Sequence, residues 1–168
     1  MASNRQTTCP GCGGRFDNIT GPTHAYMISS SGCYAAFNRL LAAEYSDPAL
    51  RTTHRLTVDT YAVQHAGDPN SRRAVQSVGL HLARLKLQLT HDLPPKETND
   101  VMLGMSEHKA TLIPLAPPTR FTLTVADVAP RAGTKQHSAK VRDWAQATWD
   151  DYAAHHDYIS DWIAKTIG

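Results

Sequence analysis

Cys9, Cys12 and Cys33 are the three cysteines of this 168-residue chain, and the first two bracket Pro10 and Gly11 ahead of Gly13 and Gly14. Two thiolates three positions apart on a tight turn can grip one ion, and glycine supplies the positive φ that such a turn needs. The next donor along the chain is His24, which gives the spacing C-x2-C-x11-H-x8-C. Three thiolates and an imidazole suit a tetrahedral zinc ion. His65, or another histidine from a helix, could equally supply the fourth corner. A redox C-x-x-C opens a helix after a strand, whereas this pair lies in glycine-rich chain, which argues against thiol–disulfide chemistry.

Nine histidines are the second feature with chemical potential. Leu50, His54, Val58, Tyr61 and His65 recur at helical spacing and form one stripe. His54 and His65 are separated by about 16 Å along a helix axis, too far to share an ion. His81 lies beside the apolar stripe of a following helix, and His155 and His156 sit on the last one. Asp59 faces another side, where a neighbouring helix could bring it against a histidine. These groups define a candidate acid–base set of His54, Asp59, Tyr61, His65, His81 and His156, converging from several helices as bundle-core sites do. Arg51, Arg55, Arg72 and Arg73 could hold an anion, although solvated surface positions explain them more simply.

The elements that must position these groups are mainly helical. Ser29, Ser30 and Ser31 offer N-cap hydroxyls to a helix that starts at Cys33 and closes at Tyr45. A second helix is expected from about Pro48 to Gly67, and a third from Ser71 to Leu89 with Val75, Val78, Leu82, Leu85 and Leu89 inward. The proline-rich stretch from His91 to Thr119 reads as a long connection, with LIPL as a candidate edge strand. Phe121, Leu123 and Val125 alternate with threonines and predict a short strand. A final helix is expected over 138–167, with Trp149, Tyr152, His156, Ile159 and Ile163 on one face. The expected fold is a small, mainly α single domain over 1–168, with about four helices and a minor β element. It divides into a zinc knuckle at 9–33, a helical core at 34–89, a loop and strand at 90–137, and the last helix.

A net charge of +2 with scattered basic residues argues against nucleic acid as a partner, and no apolar run is long enough for a membrane span. MASNRQTT has no apolar h-region, so a cytoplasmic setting is expected, consistent with cysteines that bind metal and form no disulfides. A small-molecule substrate or ligand is the expected partner, and a homodimer is compatible with the chain.

The run CPGCG, GPTHAY, SSGCYAAF, LAAEYSD, HRLTVDTYAVQH and QSVGLHL resembles an uncharacterised, mainly actinomycete bacterial domain-of-unknown-function family with an N-terminal Cys-Pro-Gly-Cys-Gly motif and a His-rich helical core. The similar stretch covers residues 9–89, and the tail WAQATW, HH and W resembles the family's last helix. The resemblance implies that Cys9, Cys12, His24, Cys33, His54, Asp59, His65, His81 and the His155–His156 pair belong to the family's signature pattern. Spread over several helices, they imply a pocket more than a peripheral knuckle.

These readings lead to two expectations. One is a zinc-dependent hydrolase, lyase or cyclase acting on a small polar metabolite, with the metal and a helical His or Asp59 as its reagents. The other is a binding or regulatory module with a structural Cys3His zinc site, which the charge donated by three thiolates favours. A redox or metal sensor is a third.

Overall fold

The computed structural model describes residues 5–91 and 93–167. A two-stranded antiparallel hairpin, β1 (Gln6–Thr8) and β2 (Arg15–Asp17), opens the chain, with Thr7 opposite Phe16. Seven α-helices follow among the described residues: α1 (Ser31–Ser46), α2 (His54–Gln64), α3 (Arg72–Thr90), α4 (Pro95–Ser106), α5 (Val125–Val128), α6 (His137–Asp151) and α7 (His156–Ile167). The fold is mainly helical as expected, but it has seven helices among the described residues where about four were expected, and its β element is the hairpin that flanks the Cys9–Cys12 turn.

Local chemistry explains each difference. Ser30 caps α1, its hydroxyl accepting from the Cys33 N–H at 3.2 Å. Asp47 then caps a 3-10 turn at Pro48–Leu50, which delays α2 to His54. The prolines of LPPKE do not break the chain into loop; Pro95 takes the first turn of α4, where a missing N–H leaves no helix bond unmade. The segment with Phe121 and Leu123 forms no strand. Thr124 and Asp127 make a capping box that starts α5, and the Thr122 N–H and hydroxyl both donate to Asp151. LIPL is not a strand either.

The expected last helix is two. Its break falls at Tyr152–His155, where Tyr152 turns inward and donates its hydroxyl to the Val63 carbonyl of α2 at 2.5 Å. The His156 ring stacks on Trp149 at 3.9 Å and donates Nε2–H to the Trp149 carbonyl, closing the corner between α6 and α7. The core is built from Leu40, Leu82, Leu85, Val141, Trp144 and Ile159, all fully buried, and α2 packs along both α3 and α6. No helix among the described residues is long and apolar enough to cross a membrane.

Candidate metal centre

The β1–β2 hairpin sets the first two donors. Its turn is CPGCGG, closed by Cys9 N–H to the Gly14 carbonyl at 2.8 Å and Gly13 N–H to the Cys9 carbonyl at 2.9 Å. Gly13 has φ of 78°, the left-handed value that lets the chain double back there. The third donor, Cys33, lies in the first turn of α1, its own N–H held by the Ser30 cap.

The fourth donor comes from the end of α2. Cys9, Cys12, Cys33 and His65 are all buried, and one ligand atom from each lies within 4.8 Å of the others, a group able to hold a metal ion. Cys12 Sγ and Cys33 Sγ are 3.9 Å apart and His65 Nε2 is 3.2 Å from Cys33 Sγ. A tetrahedron with metal–sulfur bonds near 2.3 Å has edges of about 3.8 Å, close to these separations.

His65 is aimed by the helix terminus. It caps α2 with its backbone out of the helical region, so its N–H bonds to Ala62 and the Tyr61 carbonyl is left over. The His65 ring supplies the missing donor, Nδ1–H to Tyr61 O at 2.7 Å. That bond fixes the proton on Nδ1 and leaves the Nε2 lone pair toward the sulfurs, as metal-binding histidines require. Tyr61 stacks between Phe37 and His65, with centroids at 3.9 and 3.8 Å. Burial and the nearby Cys33 raise its pKa, so it stays a phenol and its O–H can donate to Cys33 Sγ at 3.5 Å. Gly14 N–H approaches Cys12 Sγ at 3.4 Å. Gly11 is required by space, because a Cβ there would overlap the Ile28 carbonyl and the His65 ring.

Three thiols this close share their protons unequally. Hydrogen bonds from Cys12 and then Cys33 hold Cys9 far below the usual thiol range. Cys12 lies at about 12: its bond with Cys33 lowers it, while its bond with Cys9 and burial raise it. Cys33 is pushed up further by hydrogen bonding to Cys12 and Cys9 and by burial. A bound cation is the group that would stabilise all three as thiolates together.

The other expected site residues lie elsewhere. His24 does not join the cysteines. Its Nδ1 accepts from the Tyr26 N–H at 3.3 Å, and its ring packs edge-on against Tyr26. Burial, then the charges of Arg73 and His81, lower its pKa. His54 Nδ1 is 2.9 Å from Glu44, a buried carboxylate that also accepts from Thr57 and from His137 Nε2–H at 3.0 Å. This Glu44 network ties α1, α2 and α6. Sequence reasoning missed it, although Glu44 on the apolar stripe of α1 was a visible signal. His81 Nδ1 is 2.7 Å from buried Asp59, which also receives Gln88 at 2.7 Å and pairs with Arg84 at 3.3 Å. His156 is occupied by Trp149, and His155 Nε2–H donates to the Ala116 carbonyl. The expected site histidines therefore lie apart, His65 with the cysteines, His24 beside Tyr26, His54 on Glu44, His81 on Asp59 and His156 on Trp149, and do not converge on one pocket.

Fold and site together define a small helical protein with a buried Cys3His cluster at the joint between an N-terminal hairpin and two helices. The chain belongs to the Family of unknown function (DUF5946), which matches residues 7–153. No curated protein and no solved structure matches it.

Proposed function

We propose that Cys9, Cys12, Cys33 and His65 hold a structural zinc ion, and that the chain is a zinc-stapled helical binding protein. The observation that carries this reading is the fourth corner: a buried imidazole, its tautomer fixed by Tyr61 O, stands where a catalytic site would keep an exchangeable water. Three thiolates also donate enough charge to blunt the acidity of zinc. Of the proton carriers expected for a zinc enzyme, His54 lies on Glu44 and His81 on Asp59, and neither belongs to the cluster. Zinc fits the donor set because soft thiolates with one imidazole in a tetrahedron select it over harder divalent ions.

Cobalt substitution tests the reading. Protein purified without chelator should carry one zinc per chain, and its Co(II) form should show the intense visible bands of a tetrahedral three-sulfur, one-nitrogen site. Those bands should not move on adding azide or cyanide. A shift on adding either ion would reveal an open coordination position and favour the zinc enzyme. Protein purified without metal would end the zinc reading.

A further inference from the structure

Away from the metal centre, a cleft of about 600 Å³ opens between α3 and α4, large enough for a small organic ligand. Arg73, His81 and Arg84 of α3 reach it, with Arg55 of α2, Lys109 beyond α4, and Tyr26 from the segment before α1. No carboxylate among the described residues lines it. Asp59 lies behind the wall, fully buried, and orients His81 and Arg84 from the rear. With Nδ1 engaged by Asp59, His81 has Nε2 left for a ligand.

Asp59 is shared by His81 and Arg84, which leaves the cleft with more cationic groups than counter-charge. Arg55 has no ion pair among the described residues, and its Nε is buried without a hydrogen bond. Ser77 Oγ, on the same wall, is likewise buried and unbonded among the described residues. Buried polar atoms are nearly always satisfied, yet Arg55, Ser77 and Arg84, all residues of the cleft wall, each carry one without a hydrogen bond among the described residues. Burial, then the Arg84 charge, lower the pKa of Arg55, against the opposing pull of Asp59. Arg73 lies 4.6 Å over the Tyr26 ring, which holds its guanidinium at the rim. Leu80, Met102 and Leu103 supply an apolar part of the wall, beside polar Gln76 and Asn99.

We infer that the cleft binds a small organic phosphate monoester, its dianion among Arg55, Arg73, Arg84 and His81, and its organic part against Leu80, Met102 and Leu103. A dianion answers the excess of positive charge that one carboxylate would leave, and guanidinium forks match phosphate oxygens in pairs. A concave site on a chain of net charge +2 suits a small molecule better than a nucleic-acid backbone. The inference uses no zinc ligand.

Phenyl phosphate is the probe, titrated into full-length, metal-loaded protein by calorimetry and by 31P NMR, with metal content measured in each sample. Phenyl phosphate should bind saturably, more tightly than inorganic phosphate. Benzoate, one charge short, should bind about tenfold more weakly. Arg73→Gln, on an exposed position, and Arg55→Gln should each weaken phenyl phosphate about tenfold with unchanged metal content. The inference is overturned if phenyl phosphate does not saturate the folded protein, if benzoate binds equally well, or if both variants bind like the parent.

Discussion

His24 and His65 both stand within reach of the cysteines by sequence, yet only one backbone aims its ring at them. His24 sits between Tyr26 and Tyr34 and gives Nδ1 to a local amide. His65 is pinned by the leftover carbonyl of its own helix. His65→Ala should therefore strip the cluster of its nitrogen donor and raise the rate of zinc loss to a competing chelator by at least tenfold, on the order expected for losing a bound ligand and its orientation. His24→Ala should retain one zinc per chain with an unchanged release rate. Following zinc release with a colorimetric chelator separates the two, and equal release from both variants would remove His65 from the site. The three cysteines were legible because C-x-x-C with glycines is a short-range signal. The choice of histidine was not, because it depends on where α2 ends and which carbonyl that ending leaves over.

Helices with plain caps and stripes, α1 and α3, were legible nearly to the residue, since Ser30 and Ser71 both cap as their hydroxyls suggest. Elements whose limits rest on tertiary contacts were not. The α6–α7 corner has no proline or glycine, and it forms because Tyr152 reaches α2 and His156 reaches Trp149. The Glu44 network belongs to this scale too, joining three helices through one carboxylate. Glu44→Ala would leave His137 Nε2–H buried without its acceptor and the Thr57 hydroxyl with only the longer bond to the Thr53 carbonyl. It should cost about 3 kcal/mol or more in chemical denaturation, as losing one partner of a buried charged network does. Glu44→Gln keeps an acceptor oxygen and should cost clearly less. If both variants unfold at the parent's midpoint, the network contributes nothing to holding α1, α2 and α6 together.

At the scale of the molecule, the hairpin and the helices should depend unequally on an ion bound at the cluster. Strands of three residues with one buried side chain, Phe16, cannot form a stable hairpin on their own. The segment from Asn18 to Ser30 is nearly free of regular structure and is held by contacts such as Ile28 N–H to the His65 carbonyl. The helices α3, α6 and α7 instead share a core around Leu82, Leu85, Trp144 and Ile159, remote in sequence from every cysteine. Binding of an ion to the folded state alone adds stability in proportion to its affinity, and that stability is felt first where the ligands are the main tether. Chelation should therefore remove hydrogen-exchange protection from residues 5–30 and the first turn of α1. The amides of α3, α6 and α7 should keep most of theirs, and the far-ultraviolet helix signal should fall only slightly. Tyr26 lies in the released segment and walls the cationic cleft, so chelation should also weaken phenyl phosphate binding without touching Arg55, His81 or Arg84. Protection lost uniformly across the chain would mean the metal holds the whole fold together, whereas protection unchanged at 5–30 would mean the cluster is not a staple.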